Sequence, residues 1–270
     1  MSKAQDNQPD WDKMAEKFDA WLPQIAPVGD AMLKLLRTKV GDKILDVASG
    51  TGEPALTLAR GNSSIDVTGI DAAPGMIKVA NNKVADEGLK NITFNVMPAE
   101  KIGFDDAIFD RVMCRFGVML FEDAQQGVNE MYRVLKPGGE CVLAVWGLAE
   151  NMPTMYWSYQ VFRDKVPEES LPPLEKITSM GKPGAIDMIL KNAGFSEFQV
   201  ERCTFNYEFQ SFDDYWAIVE SSDLLKQQYD ALSEEDKHSI RNEVAEFAQA
   251  HVSDQGFNIP HEYLLVWGKK

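Results

Sequence analysis

Apolar positions along the chain follow helical spacing up to about residue 42, and the first strand-like run begins directly after it. In the first part, one helical face carries the residues Trp11, Met14, Phe18 and Trp21. Pro23 and Pro27 are expected to close this first helix, and a second amphipathic helix is predicted from Val28 to Lys39.

Short β-branched runs alternate with helical segments between residues 43 and 146. The runs predicted to be strands are 43–48, 65–70, 92–97, 109–114 and 141–146. The segments predicted to be helices begin at Pro54, Pro74 and Ala124. This alternation is typical of an α/β fold with a doubly wound parallel sheet.

The pattern loosens after residue 146. Residues 148–178 are rich in aromatic residues and prolines, and residues 211–250 are expected to be mostly helical. Two further strands are predicted at 198–207 and 262–268, and no linker separates a second independent domain.

Charge and cysteine content limit the classes of partner. The net charge is −15, so a nucleic acid is not expected to bind. Three widely spaced cysteines indicate neither a disulfide framework nor a metal site. The N-terminus lacks an apolar signal region and no run is long enough to span a bilayer, so a cytoplasmic protein is expected.

The first strand leads into a loop that contains Gly50 and Gly52, followed by Ala55. Such a loop lets backbone N–H groups and a helix N-terminus approach a bound ligand. Asp71, about 20 residues further on, lies at the carboxyl edge of the predicted sheet, where it can accept ribose hydroxyls. The same pattern fits a nicotinamide dinucleotide, and Asp71 also suits the N-terminus of the helix at Pro74.

A longer series of motifs separates these alternatives. The series consists of Leu45–Gly52, Gly69-Ile70-Asp71, Pro74-Gly75-Met76, Pro98-Ala99-Glu100, Phe109-Asp110, Phe116-Gly117-Val118-Met119 and Arg133-Val134-Leu135-Lys136-Pro137-Gly138-Gly139. In order and spacing it resembles class I S-adenosylmethionine-dependent methyltransferases, particularly the ubiquinone and menaquinone biosynthesis C-methyltransferase group. The resemblance implies a Rossmann-like, seven-stranded sheet, mostly parallel with an antiparallel last strand, and a helical lid.

The resemblance also implies where S-adenosylmethionine binds. Gly50 and Gly52 would contact its methionine and ribose parts, Asp71 would hold the ribose, and Met76 would pack on the adenine. The full predicted set is Asp46, Ala48, Gly50, Thr51, Gly52, Asp71, Ala72, Met76, Ala99, Glu100 and Cys114. Ala48 departs from the family, which often has glycine at this position.

Three segments are expected to meet at the rim of the cofactor site. They define an N-terminal helical lid segment, 1–42, and a methyltransferase domain, 43–270, with lid insertions at about 148–178 and 210–258. An aromatic wall beside a sulfonium cation and the exclusion of water both favour methyl transfer. The predicted substrate pocket consists of Trp11, Phe18, Arg115, Phe116, Met119, Trp146, Trp157 and Trp216, although these rings also suit packing within the lid itself.

The predicted function is transfer of a methyl group from S-adenosylmethionine to a small, hydrophobic or aromatic acceptor, with the methylated atom left open. Alignment does most of the work in such a reaction, and a base is needed only if the acceptor must lose a proton. His261 and Arg115 are the candidate catalytic residues. The alternatives are an NAD(P)-dependent oxidoreductase and a non-catalytic module that binds S-adenosylmethionine; the sequence leaves the oligomeric state open.

Overall fold

A computed structural model describes residues 10–168, 171, 173–221 and 229–270. Its helices are α1 Trp11–Phe18, α2 Leu22–Leu36, α3 Ala55–Gly61, α4 Pro74–Glu87, α5 Ala124–Val134, α6 Pro153–Phe162, α7 Leu174–Ile177, α8 Ala185–Ala193, α9 Phe212–Ser221 and α10 Glu234–Ala248. Its strands are β1 Lys43–Val47, β2 Asp66–Asp71, β3 Ile92–Val96, β4 Phe109–Arg115, β5 Leu135–Trp146, β6 Glu197–Phe209, β7 Val252–Ser253 and β8 Gly256–Lys269. Parts of the predicted lid, namely 1–9, 169–170, 172 and 222–228, lie outside the described residues.

The strands form one sheet in the order β3-β2-β1-β4-β5-β8-β6, and the two-residue β7 pairs with β8. β1 to β5 are parallel, whereas β8 runs antiparallel to both β5 and β6. The predicted doubly wound sheet of seven strands with an antiparallel last strand is confirmed, with β7 as a short addition. Strand order reverses at β1, so the ends of β1 and β4 form the crevice where such sheets bind ligands.

The second helix differs from its prediction. α2 begins at Leu22 rather than Val28, and Pro27 lies inside it instead of ending the preceding segment. Val28, Met32 and Leu36 are fully buried on the face that packs against the sheet. This packing compensates for the backbone hydrogen bond that Pro27 removes, because tertiary burial supplies most of the stability of a short helix.

The predicted N-terminal segment therefore has two parts with different partners. α2 belongs to the main core and packs against β4, β5 and β6, whereas α1 packs against α4. The division of the chain into residues 1–42 and 43–270 stays a prediction.

The predicted lid insertion at about 210–258 starts and ends at the carboxyl edge of the parallel strands. β6 is parallel to β5, since both are antiparallel to β8, so the end of β6 and the start of β8 lie at that edge. α10 packs against both α6 and α9, and these two helices in turn contact β8 and β6. Within the described ranges, no helix is long and apolar enough to cross a bilayer.

Candidate functional site

The loop between β1 and α3 turns sharply through left-handed backbone conformations. Ala48 has φ +56°, Gly50 φ +53° and Gly52 φ +106°. A Cβ on Gly52 would come within 2.7 Å of the Leu56 side chain and 3.1 Å of the Phe94 ring, so packing requires this glycine. A Cβ on Gly50 would meet only the Phe18 ring, at 3.8 Å, so Gly50 faces the more open side of the loop.

The carboxylate of Asp71 is fixed by the backbone on both sides. Its Oδ2 accepts a hydrogen bond from the Gly50 N–H at 2.9 Å, and its Oδ1 accepts one from the Ala73 N–H at 2.9 Å. Burial raises the pKa of Asp71, and the backbone donors oppose that shift. Each carboxylate oxygen keeps a lone pair beyond these bonds, so Asp71 is able to bind a pair of hydroxyl groups.

Asp46, the penultimate residue of β1, carries a buried acceptor without a donor. Its Oδ2 has no hydrogen-bond partner, and the residue is 1% exposed. Burial raises the pKa of Asp46 to about 8, although the positive charge of Arg115 acts to lower it. A buried carboxylate is costly unless it is paired. The site therefore suits a ligand that brings a cation to this oxygen.

Arg115 leaves β4 towards the underside of the loop. Its guanidinium donates to the carbonyl of Glu53 at 2.7 Å and to that of Ile25 at 3.4 Å. Burial lowers its pKa to about 10, well above neutral pH, so it stays charged. These bonds tie the loop to α2; the predicted substrate and catalytic roles of Arg115 stay predictions. Around it lies a cleft of about 300 Å³ lined by Asp19, Leu22, Pro23, Ala26, Asp30, Glu53, Pro54, Thr57 and Arg115.

The other predicted cofactor residues surround the loop. Met76 is buried in the first turn of α4 but lies outside the continuous core, and Ala72 is exposed beside Asp71. Ala99 is buried after β3, and the Glu100 carboxylate accepts the Glu122 N–H at 2.9 Å. Cys114 is fully buried at the end of β4, and burial raises the pKa of its thiol. Their contacts with a cofactor stay predictions.

Three residues of the predicted substrate pocket come together at the ends of β4 and β5. The rings of Phe116 and Trp146 stack with centroids 3.6 Å apart and planes 13° apart, and Met119 is buried in the turn after Phe116. The stack continues to Phe205 on β6, 6.0 Å from Trp146. Phe116 has φ +59°, a conformation that a bulky residue adopts only at a cost of the order of 1 kcal/mol or more.

Other residues of that predicted pocket lie elsewhere. Trp11 and Phe18 pair edge to face at 6.2 Å, on the helix α1 that crosses the glycine loop. Trp157 stacks on Phe247 of α10 at 6.2 Å, and Trp216 stacks on the Phe212 ring at 5.9 Å. The rings of Trp157 and Trp216 therefore pack within the layer of α6, α9 and α10, and their contact with a substrate stays a prediction.

His261 is fully buried and both of its ring nitrogens are used. Since a carbonyl only accepts, Nδ1 carries the proton and donates to the Ile259 carbonyl at 3.0 Å, while Nε2 accepts from the Thr154 hydroxyl at 2.7 Å. Burial lowers the pKa of His261 to about 4. A neutral imidazole with both nitrogens occupied favours a structural role over that of a general base, and the catalytic role stays a prediction.

Several residues that make side-chain hydrogen bonds at this edge were not among the predicted site residues. Asp19, Lys83 and Thr154 bond to residues far away in the chain, so no local spacing marks them. The alternation of Phe205, Tyr207 and Phe209 does follow the two-residue period of a strand, and it was a usable signal for a row of buried rings. No group of three or more His, Cys, Asp or Glu side chains within the described ranges is placed to hold a metal ion.

Comparison with known proteins adds a family. The model of the ubiE/COQ5 methyltransferase family matches residues 14–179. The ubiquinone/menaquinone biosynthesis C-methyltransferase UbiE of Geobacter sulfurreducens is 42% identical over 113 residues, which cover 41% of this chain and 44% of that enzyme. The demethylmenaquinone methyltransferase of Chlorobaculum tepidum is 36% identical over 176 residues, covering 60% of this chain and 69% of that enzyme. The chain thus aligns with less than half of the Geobacter enzyme.

Solved structures support the fold. The YcgJ protein of Bacillus subtilis has a TM-score of 0.61 at 20% identity, over 90% of this chain and 97% of that one. A phosphoethanolamine N-methyltransferase of Haemonchus contortus, solved with phosphomonomethylethanolamine and S-adenosylhomocysteine, has a TM-score of 0.63 at 20% identity, over 100% of this chain and 60% of that one. The predicted methyltransferase resemblance, its S-adenosylmethionine-dependent class and its Rossmann-like fold are confirmed.

Proposed function

This chain belongs to the ubiE/COQ5 methyltransferase family, and we propose that it moves a methyl group from S-adenosylmethionine to a planar aromatic acceptor of the quinol type. The observation that carries this proposal is the Phe116–Trp146 stack. Phe116 follows Cys114 and Arg115 at the end of β4. Its neighbour Gly117 lies against the glycine loop, since a Cβ on Gly117 would come within 2.6 Å of the Ala48 methyl group. A flat aromatic wall thus adjoins the glycine loop.

The loop residues fit S-adenosylmethionine in three ways. Asp71 offers both carboxylate oxygens to the ribose hydroxyls, and the open side of Gly50 lets the backbone approach the ligand. The partnerless Oδ2 of Asp46 suits the positively charged α-ammonium of the methionine part. When bound, this cofactor supplies an electrophilic methyl group on a sulfonium centre, and S-adenosylhomocysteine is left after transfer.

The acceptor class rests on the shape and chemistry of the stack. The two rings are 8% and 7% exposed, so the stack is a fixed apolar element at this edge, and aromatic pairs gain about 0.5–1.5 kcal/mol beyond the area that they bury. The wall would hold a planar ring edge-on to the methyl group and exclude water, which is how alignment accelerates such a displacement. The Geobacter relative is named for C-methylation in ubiquinone/menaquinone biosynthesis and the Chlorobaculum relative for demethylmenaquinone, and both names agree with a quinol ring carbon as the nucleophile.

The proposal extends to the kind of acceptor, the location of the protein and the segments that cover the site. The net charge of −15 supports a small-molecule acceptor rather than a nucleic acid. Three free thiols, at Cys114, Cys141 and Cys203, support a reducing, cytoplasmic location. The N-terminal segment 1–42, through α1, and the insertions 148–178 and 210–258 are proposed to close the site.

Calorimetry with S-adenosylmethionine, S-adenosylhomocysteine and NADPH tests the cofactor class first. We expect binding of the first two and none of NADPH. Binding of NADPH alone would contradict the proposal. Binding of the first two without product formation across all acceptor classes would identify a non-catalytic module.

Methyl transfer is then measured with a trideuteromethyl-labelled cofactor and mass spectrometry, on hydroquinones, non-aromatic amines and a transfer RNA. We expect label only in the hydroquinones. Phe116→Leu should lower kcat/KM for them without changing the Kd of S-adenosylmethionine. Phe104→Leu, whose ring packs against Phe109 at the opposite edge of the sheet, is the matched control.

A further inference from the structure

We propose that Asp19 and Lys83 are positioning residues that latch α1 across the glycine loop and thereby set how long the cofactor stays bound. This inference rests on the proposed function, since it concerns retention of S-adenosylmethionine at the same loop.

The latch joins three separate elements. Asp19, directly after α1, accepts a hydrogen bond from the Thr51 hydroxyl of the loop at 2.6 Å. Lys83 of α4 pairs with the same carboxylate, at 2.9 Å from Oδ1 and 2.7 Å from Oδ2. The ammonium of Lys83 also donates to the Thr51 carbonyl at 3.0 Å. Asp19, Thr51 and Lys83 therefore form a closed network of charge-assisted bonds.

A second contact fastens the other end of α1. The carboxylate of Asp12 accepts the N–H of Gly75 in the first turn of α4, where a backbone N–H has no partner within its own helix. A Cβ on Gly75 would lie 2.8 Å from the Asp12 carbonyl oxygen, so the close approach of the two helices needs glycine here. Asp12 and Asp19 thus hold α1 near its two ends.

Between these two contacts, α1 covers the cofactor loop. The Phe18 ring lies 3.8 Å from the position of a Cβ on Gly50. The Gly50 N–H is bonded to Asp71, the residue proposed to hold the ribose. A ligand bound along Gly50 and Asp71 is therefore covered by α1, and α1 must move before that ligand can leave.

The packing of α1 allows such a movement. Met14 and Ala15 of α1 are buried outside the continuous core, and of this helix only the partly buried Phe18 packs against that core. α2 is anchored by the fully buried Val28 and Met32, so the turn between the two helices is the natural hinge. The Lys83 and Asp19 side chains are 24% and 39% exposed, so salt is expected to weaken the latch.

The test is the dissociation rate of S-adenosylhomocysteine, followed by stopped-flow tryptophan fluorescence. Asp19→Ala and Lys83→Met should each accelerate release about tenfold, the loss of roughly one charge-assisted hydrogen bond. Lys78→Met and Asp86→Ala remove exposed charges of the same two signs from α4, the helix that carries Lys83, and should leave the rate unchanged. The double variant Asp19→Ala/Lys83→Met should release no faster than either single variant, because both disable one latch.

Salt supplies a readout that needs no variant. Release from the wild type should accelerate between about 0.05 and about 0.5 M NaCl, and Lys83→Met should lose most of this dependence. An unchanged rate in both variants, additive effects in the double variant, or a salt-independent wild type would overturn the latch. Failure of the wild type to bind either S-adenosyl compound would instead overturn the proposed function, and the latch with it.

Discussion

Ala48 and Gly117 share one small space at the carboxyl edge of the sheet: a Cβ on Gly117 would lie 2.6 Å from the Ala48 methyl group. Ala48 itself has φ +56°, a conformation that favours glycine. The alanine is therefore accommodated because residue 117, in the turn after β4, has no side chain. This pairing explains how an alanine fits at position 48 despite its left-handed backbone conformation.

Gly117→Ala is accordingly expected to destabilise the protein by about 1–3 kcal/mol, the usual cost of inserting a methyl group into a filled space. Ala48→Gly in the same chain should restore part of that loss, since the new Cβ still meets the Cys114 sulfur at 2.6 Å. Urea unfolding measures both. Gly61→Ala, where nothing lies within 4 Å, is the control and should be close to neutral. Equal stability of Gly117→Ala and wild type would show that the space is larger than described.

Asp71→Ala should weaken binding of S-adenosylmethionine by a factor of about 100 or more, because it removes the proposed ribose acceptor and the bond that orients Gly50. Calorimetry gives the Kd, and urea unfolding reports the smaller loss in stability. Asp66→Ala changes an exposed carboxylate at the other end of the same strand and serves as the control. Unchanged cofactor affinity in Asp71→Ala would remove Asp71 from the site.

Binding of the cationic cofactor should release a proton through Asp46. Its pKa in the folded protein is raised to about 8, so below that pH the carboxyl is largely protonated. A bound cation stabilises the charged form and lowers this pKa, so affinity should rise with pH up to about 8. Calorimetry at pH 7 in two buffers of different ionisation enthalpy counts the released protons. Release should vanish in Asp46→Asn, and persistence there would assign the proton to another group.

The same raised pKa fixes how Asp46 affects the unliganded protein. The folded state holds the Asp46 proton more tightly than the unfolded chain does. Protonated Asp46 therefore adds to the free energy of unfolding in full below the ordinary pKa of 3.8, and this addition is lost as pH rises towards about 8. Asp46→Asn should therefore flatten the fall in the free energy of unfolding over that interval.

The Thr154–His261 bond is expected to stabilise the attachment of α6 to β8. Thr154→Val leaves the buried Nε2 without a donor and should cost about 1–3 kcal/mol, whereas Thr204→Val on the exposed side of β6 should be close to neutral. Burial lowers the pKa of His261 from 6.5 to about 4. The neutral ring therefore contributes to the free energy of unfolding above pH 6.5, and this contribution is lost as pH falls towards 4. Urea unfolding at several pH values tests this, and a His261→Gln variant with an unchanged acid profile would contradict it.

The local pattern predicted the central fold well. Strand runs, glycines and prolines between residues 43 and 146 carry the βα alternation, and β1 to β4 begin and end within one residue of the predicted runs. The fifth strand was predicted at 141–146 but begins at Leu135, because Leu135 already pairs with Phe109 of β4. The helix boundaries near the N-terminus were wrong, because Pro27 indicates an end only where tertiary packing does not outweigh its missing N–H. The Phe116–Trp146 stack was predicted only as two members of a larger pocket.

The sequence by itself determined the fold class, the position of the glycine loop after β1 and the position of Asp71 at the end of β2. These features depend on periodicity and on short-range turn chemistry, which neighbouring residues specify. Only the tertiary structure decided that Phe18 covers the loop, that Trp157 and Trp216 pack in the outer helical layer, and that His261 is buried and neutral. Each of these outcomes depends on contacts between residues far apart in the chain. Burial and hydrogen-bond partners at such distances are set by how elements pack, and no local spacing encodes them.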